Sequence, residues 1–170
     1  PKGKQDDPLA RHLATLGVLT YRGPEQDVLA RFHEAALQRK ATTVVRICAD
    51  NPLICPSAID ALIDFFREQS PQCQYAYNHI PQGNLWPDGI GAEICSTSTL
   101  TTIHHEAVLP HHREHVFEFL KENPERFDRR TFDPPNPRLA RPNIKLDVDH
   151  AEDLAKLKNI RISPKADTLT

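Results

Sequence analysis

The 170-residue sequence contains no methionine, one tryptophan and six glycines, and it has no long apolar run. A helix that spans a membrane needs about 18 or more consecutive apolar residues, which this sequence lacks. Because translation starts at methionine, its absence predicts that residues precede Pro1 in the natural protein. Lys and Arg number 21 against 23 Asp and Glu. This balance argues against a dedicated nucleic-acid binder, which carries an excess of positive charge.

The four cysteines form neither a Cys-x-x-Cys pair nor the paired spacing of a zinc ribbon, and no secretory leader is present. Free buried thiols in a reducing compartment are the favoured interpretation. We therefore predict a cytoplasmic protein. The hydrophobic fraction of 39% and the charged fraction of 26% are ordinary for a globular domain, so intrinsic disorder of the whole chain is excluded.

Apolar periodicity predicts that strands and helices alternate along the chain. Strands are expected at residues 18–21, 42–49, 74–78, 92–96 and 143–148. Helices are expected to begin near residues 6, 28 and 56, to cover 97–106 and 113–123, and to begin again at 150. Residues 42–49 (TTVVRICA) are apolar and β-branched, which is typical of a central strand buried on both faces. The pattern predicts a single α/β domain over residues 1–170 with a mostly parallel sheet.

Aspartates follow two of these strands, and ligands bind at the carboxyl ends of strands in such sheets. Asp50 ends the apolar strand, while Asp147 and Asp149 end the last strand. Side-chain alternation should point Asp147 and Asp149 to opposite sides. Carboxylates that converge from separate strands suit Mg²⁺, which prefers oxygen ligands. The alternative is that Asp50 and Asp149 cap the turns or helices that follow them.

Five segments carry a resemblance to a known family. They are VVRICADNPLICP at 44–56, YRGPEQDVLARF at 21–32, WPDGIGAEICS at 86–96, REHVFEFLKENPERF at 113–127 and KLDVDHAEDL at 145–154. In their order along the chain they resemble cytidylyltransferases of the spore coat polysaccharide biosynthesis type. That branch is related to the CMP-3-deoxy-manno-octulosonate and CMP-sialic acid synthetases.

The resemblance implies a fold, a reaction and a set of partners. The fold is a Rossmann-like nucleotidyltransferase, a three-layer sandwich related to nucleotide-diphospho-sugar transferases. The reaction is Mg²⁺-dependent transfer of CMP from CTP to a hydroxyl of a sugar or sugar acid, with release of pyrophosphate, for surface polysaccharide. The implied partners are CTP and the acceptor, with a homodimer as an option and with neither nucleic acid nor membrane.

The resemblance also assigns site residues. Asp50 and Asp149 match the metal-binding aspartates, and Arg46 could face a phosphate or a sugar carboxylate. The nucleotide side is matched by Arg22 and Asp27. The acceptor side is matched by Asp88, Arg113, Glu114 and His115. The alternative for Arg46 is a partly buried salt bridge, and the alternative for the others is a surface or capping role.

The sequence departs from the family pattern at its start. The family opens with a strand and a basic loop of the ARxGSxRLPGK kind around the triphosphate, and neither precedes residue 6 here. We therefore expect this domain to lack its first strand and phosphate-binding loop. A non-catalytic binding or assembly module that has lost this loop is the alternative function. Another nucleotide-sugar enzyme, such as a glycosyltransferase, agrees less well with the five segments.

Five histidines lie close together at positions 104, 105, 111, 112 and 115. His111 and His115 are four residues apart, a spacing that can hold Zn²⁺ on a helix. No third ligand stands at a familiar spacing, and Pro110 interrupts the segment. The sequence therefore favours a solvated or acceptor-facing histidine patch over a metal site.

Overall fold

The computed structural model describes residues 1–159. Within them lie seven α-helices: α1 (Asp7–Thr15), α2 (Val28–Gln38), α3 (Pro56–Glu68), α4 (Thr97–Glu106), α5 (Pro110–Glu114), α6 (Glu118–Glu122) and α7 (Ala151–Lys158). The strands are β1 (Thr43–Arg46), β2 (Tyr75–Tyr77), β3 (Glu93–Ser96) and β4 (Arg129–Arg130). Among residues 1–159, no helix combines the length and the apolar character that crossing a membrane requires.

The chain forms two compact units. Unit 1 comprises Pro1–Val44 and Ser96–Arg126, and unit 2 comprises Val45–Cys95 and the chain from Phe127 onwards. In unit 1, α2 packs against α4 and α5. Both longer helices begin at side-chain caps: Asp27 accepts a hydrogen bond from Ala30 N, and Ser96 accepts one from Thr99 N. These caps fix where α2 and α4 start, and the predicted 97–106 helix is found at those residues.

Unit 2 contains a mixed sheet with the strand order β1–β3–β2–β4. Strand β2 runs antiparallel to β3 and parallel to β4. The expectation of a mostly parallel sheet is therefore not confirmed. Helix α3 packs on β2. Apolar side chains of both elements and of β3 form a buried core that includes Leu62, Phe66, Cys73, Ala76, Ala92 and Ile94.

A second apolar cluster holds the loop between β2 and β3. Trp86 is fully buried with Cys55, Ala58 and Ile90. Its indole N–H donates to the backbone oxygen of Phe132 over 2.8 Å, so the buried ring leaves no polar group unsatisfied. The long loop predicted at 79–91 is thus anchored at its centre by its largest side chain.

Residues 18–21 form no strand, contrary to the sequence prediction. Gly17 has a φ of +69°, and Val18 N donates to Leu13 O over 3.0 Å. Both features end α1 in the manner of a Schellman motif, in which a glycine in the left-handed region closes the helix. The apolar residues that follow, including Leu19 at 74% exposure, continue as irregular chain.

Three other elements differ from expectation. Strand β1 covers only four residues of the predicted 42–49, lies at one end of the sheet and is exposed or half-buried, so the prediction of full burial is wrong. The predicted strand at 143–148 is reduced to one bridge between Lys145 and Asp88. The predicted helix at 113–123 is divided into α5 and α6 by a break at His115, whose φ and ψ are extended.

The carboxylate of Glu93 in β3 is completely buried and joins three strands. Arg46 of β1 donates to its Oε2, and the Tyr75 hydroxyl of β2 donates to its Oε1. His79 Nε2 lies 3.7 Å from the same Oε1. Burial, and after it the charge of Glu93, raises the pKa of Tyr75 well above its ordinary range, so Tyr75 remains a donor. One buried charge therefore ties β1, β2 and β3 together.

We expect Glu93→Gln to lower the free energy of unfolding by about 2–4 kcal/mol, because it leaves the Arg46 guanidinium without its counter-charge. Urea unfolding followed by circular dichroism measures this loss. The matched control is Glu68→Gln, at an exposed glutamate of α3, which should change stability by less than about 0.5 kcal/mol. Equal stability of the two variants would show that the buried charge is dispensable.

Candidate functional site

Asp50 and Asp149, the aspartates expected to hold a metal, precede helices without capping them. The N-cap of α3 is Cys55, five residues beyond Asp50. The N-cap of α7 is His150. The alternative in which the two carboxylates cap these helices is therefore not what the structure shows. Both residues are exposed.

Backbone hydrogen bonds bring the two predicted metal ligands and Asp88 to one place in unit 2. Asp88 N donates to Ile144 O over 2.9 Å, and Leu146 N donates to Asp88 O over 3.0 Å. Two residues on, Val148 N donates to Asp50 O over 2.8 Å. The segment before α7 therefore connects the loop after β1 with the loop before β3.

Gly89 allows this close approach. Its φ is +91°, and a Cβ at this position would lie 2.6 Å from Asp147 N. Real Cβ atoms do not come so near to backbone, and L-residues rarely adopt this φ. Any side chain at position 89 would push the loop away from residues 146–147, and Asp88 would move with it.

Four carboxylates belong to these neighbouring segments, and we call Asp50, Asp88, Asp147 and Asp149 the aspartate group. Within residues 1–159, no three of them bring their oxygens within 4.8 Å of one another. Asp88 is half-buried, and burial raises the pKa of its carboxyl above the ordinary value. The charges of Asp147, Asp149 and Asp50 raise it further, while Lys145 opposes them. The like charges therefore act on one another, which is the condition that a bound cation relieves.

Lys145 is the cation that the structure pairs with the aspartate group. Its Nζ lies 3.2 Å from Asp147 Oδ2 and also donates to Asp149. Hydrogen bonds to Asp149 and Asp147 hold the pKa of Lys145 well above its ordinary value. One ammonium contacts both carboxylates, so the expectation that alternation would separate them is wrong. The reason is that residues two apart along an extended chain point to the same side, so alternation does not separate positions 147 and 149.

Asp147 was not among the predicted site residues. Its side chain is 15% exposed, and its Oδ1 is buried without a hydrogen-bond partner within residues 1–159. A buried carboxylate oxygen in this state is unusual and offers a contact to a water, an ion or a ligand. The sequence did hold a signal, because Asp147 stands two residues before a predicted metal ligand.

The structure places Arg46 and Arg22 in contacts within the chain. Arg46 forms the ion pair with Glu93, which was the structural alternative for this residue. Arg22 bonds Asp7 through Nη1 at 2.8 Å, and its other two nitrogens donate to the backbone oxygens of Pro1 and Gly3. Contacts of Arg46 with phosphate or a sugar carboxylate, and of Arg22 with nucleotide, stay predictions.

In unit 1, the structure joins two residues that were predicted for different sides of the site. Asp27 Oδ2 accepts from Arg113 Nη2 at 2.7 Å and Nε at 3.0 Å. Burial works to raise the pKa of Asp27, but the hydrogen bonds from Arg113 and Ala30 hold it below its ordinary value. Arg113 also donates to His104 O over 2.7 Å. Asp27 is therefore an ionised cap whose position fixes Arg113.

A cavity of about 600 Å³ opens beside this ion pair, and we call it the α2–α5 cavity. It is lined by Glu25, Gln26, Asp27, Val28, Pro110, Arg113 and Glu114. Three carboxylates, one amide and one guanidinium offer hydrogen bonds in several directions, which suits a ligand with many hydroxyl groups. The exposed His115 does not line this cavity, and the sequence did not single out Glu25.

Asp88→Asn should stabilise the fold slightly at pH 7, because it removes a carboxylate that its neighbours repel. The folded-state pKa of Asp88 lies above its unfolded value, so the ionised form costs stability at neutral pH. That cost disappears as the pH falls below the unfolded pKa of about 4. After solvent screening the gain is less than about 1 kcal/mol, or at most about 3 °C in Tm.

Thermal unfolding at pH 7 and pH 4 measures this difference. The exposed aspartate of α3, changed by Asp60→Asn, is the matched control and should leave Tm unchanged at both pH values. A D88N protein less stable than D60N at pH 7 would contradict the repulsion inferred for the aspartate group.

The sequence profile of the cytidylyltransferase family matches residues 5–165. The spore coat polysaccharide biosynthesis protein SpsF of Bacillus subtilis is 27% identical over 154 residues, which cover 90% of this chain and 61% of SpsF. An uncharacterized protein of Methanocaldococcus jannaschii is 29% identical over 150 residues, which cover 88% of this chain and 58% of that protein. The chain thus spans about three fifths of the length of these relatives.

A solved structure of a cytidylyltransferase from Leptospira borgpetersenii serovar Hardjo-bovis superposes with a TM-score of 0.80 and 28% sequence identity. The match covers 92% of this chain and 64% of that one. It confirms the predicted α/β fold class, and the family profile confirms the resemblance stated from the five segments. The chain belongs to the cytidylyltransferase family.

Proposed function

We propose that the protein transfers CMP from CTP to a hydroxyl group of a sugar or sugar acid, with release of pyrophosphate, for surface polysaccharide. Membership of the cytidylyltransferase family supports the nucleotide and the reaction class. The name of the Bacillus subtilis relative, a spore coat polysaccharide biosynthesis protein, supports the acceptor class and the pathway. The observation that carries the proposal is the backbone hydrogen bonding in unit 2 that joins the segments of Asp50, Asp88 and Asp149, whose charges act on one another.

The donor set of the aspartate group fits a hard divalent cation. Carboxylate oxygens are the ligands that Mg²⁺ takes from proteins, together with substrate phosphates. The unpartnered Oδ1 of Asp147 shows that the hydrogen bonds of the chain alone do not satisfy this group. Asp50 and Asp149 would hold the ion. When bound, Mg²⁺ neutralises charge on the phosphates of the nucleotide and orients them for displacement at the α-phosphorus.

The other residues of the chain bind and orient the two substrates in this proposal. Asp88 accepts a hydrogen bond from a hydroxyl of the acceptor. Gly89 keeps Asp88 in position, because it lets the loop lie against residues 146–147. Within unit 1, Arg113, which Asp27 fixes, and Glu114 bind hydroxyl groups at the α2–α5 cavity, with His115 at the end of α5. To contact the nucleotide, Arg46 must release Glu93, and Arg22 must release Asp7 and the backbone oxygens that it binds.

CTP together with Mg²⁺ should stabilise the protein, whereas UTP, ATP and GTP should not. Ligand at about one hundred times its Kd contributes about 2.7 kcal/mol, which raises Tm by about 5 °C or more. Thermal unfolding of the chain with each nucleotide, with and without Mg²⁺, is the measurement. No response to any nucleotide would favour the non-catalytic module. Stabilisation by a different nucleotide would overturn the choice of CTP.

Asp50→Asn and Asp149→Asn should each abolish the Mg²⁺-dependent part of the CTP response. Both side chains are exposed, so neither change should alter the stability of the free protein by more than about 0.5 kcal/mol. Asp60→Asn serves again as the control and should respond to CTP like the unaltered chain. A D50N or D149N protein that keeps its Mg²⁺ dependence would remove that residue from the metal site.

A further inference from the structure

The two histidines of α5 share one carboxylate, an arrangement that the predicted solvated or acceptor-facing patch did not include. His112 is only 5% exposed, and its Nε2 lies 2.7 Å from Glu122 Oε2. His111 Nε2 lies 3.2 Å from the other oxygen, Glu122 Oε1. Glu122 is the last residue of α6, so one carboxylate receives two imidazoles from the start of α5. We call His111, His112 and Glu122 the His–Glu cluster.

The atoms of the His–Glu cluster have the separations of a metal site. One nitrogen from each ring and one carboxylate oxygen all lie within 4.8 Å of one another. Ligands about 2.0–2.1 Å from a tetrahedral Zn²⁺ stand about 3.3 Å apart, so small side-chain rotations suffice. Two imidazoles and one carboxylate are also a ligand set that Zn²⁺ takes when a fourth position is open to water. His111 and Glu122 are each 47% exposed, which leaves room for that water.

The setting of His112 indicates more than a surface hydrogen bond. Its ring packs edge-on against Phe119, with the ring centres 5.3 Å apart. Its Nδ1 is buried and has no hydrogen-bond partner in the described part of the chain. Glu122 therefore satisfies only one nitrogen of a buried imidazole. Packing against Phe119 therefore holds the ring in place with Nε2 directed at Glu122, where an ion can bind it.

The ligand set differs from the one that sequence spacing suggests. His115 is the C-cap of α5, and its backbone N–H donates to His111 O over 2.8 Å. Its side chain is not part of the cluster, because α5 ends there with an extended residue. The third ligand comes instead from Glu122, on the next helix. A search for ligands at helical spacing could not identify Glu122, because it approaches the histidines only when α6 packs against α5.

We propose that the His–Glu cluster is a transition-metal site of the Zn²⁺ class, with His111, His112 and Glu122 as protein ligands and water in the fourth position. The site is separate from the aspartate group in its residues and in its ligand chemistry, since imidazole selects transition metals and carboxylate oxygen alone selects Mg²⁺. The bound ion joins α5 to α6. It thereby fixes the short helix that carries Arg113 and Glu114 of the α2–α5 cavity.

The test is a titration of the whole, tag-free and chelator-treated chain with Zn²⁺ in competition with a chromophoric chelator. His111→Ala and Glu122→Gln should weaken binding by about tenfold or more, because loss of even an outer-shell partner of a metal ligand typically costs about tenfold. His112 is left unchanged because it is buried and its loss could unfold the helix pair. The controls are His12→Ala, at an exposed histidine of α1, and His115→Ala. Both should bind like the unaltered chain.

A second readout separates the cluster from the four cysteines, which are also capable of binding Zn²⁺. Co²⁺ in the His–Glu cluster should give visible bands of a tetrahedral nitrogen and oxygen site, without the intense charge-transfer absorption of thiolate ligands. Equal affinity in all variants, a thiolate spectrum, or no binding by the unaltered chain would each overturn the proposal. Loss of binding in H115A would overturn this ligand set. None of these outcomes involves CTP, so the proposed function is tested independently.

Discussion

The architecture of unit 2 depends on one buried negative charge. Glu93 lies in β3 and accepts hydrogen bonds from Arg46 of β1 and from Tyr75 of β2. Strand β1 leads directly into the loop with Asp50, and β3 follows the loop with Asp88. The same ion pair that aligns the strands therefore fixes the two loops that bring carboxylates together. A charge with no solvent contact makes this alignment strict, because a shifted strand would leave the charge uncompensated.

The sequence was sufficient to predict elements that depend on residues within the same segment. The helix over 97–106 could be predicted because Ser96 is a good N-cap, and the helix after Pro56 because its apolar residues recur at helical spacing. Strand β1 was found but not its exposure, since edge position depends on the order of strands. Residues 143–148 look like a strand, yet their backbone partners are Asp88 and Asp50, which are distant in sequence.

The same distinction holds for the candidate site. Asp50 and Asp149 could be singled out because each follows a predicted strand. Lys145 could not be assigned, because its role follows from an irregular segment in which one ammonium reaches two carboxylates. Glu122 could not be linked to His111 before α5 and α6 were known to pack. Periodicity can identify the residue types that stand at strand ends. It cannot predict which distant segments come into contact.

Lys145 has a consequence for how ligands exchange at the aspartate group. Asp147 and Asp149 do not meet solvent as bare carboxylates, because Lys145 supplies their counter-ion from within the chain. Any cation that arrives must displace this ammonium, so its measured affinity is the difference between two ionic interactions. When the cation leaves, the tethered ammonium returns at a high effective concentration. Lys145 thus weakens cation binding at equilibrium and also opposes rebinding of a cation that has left.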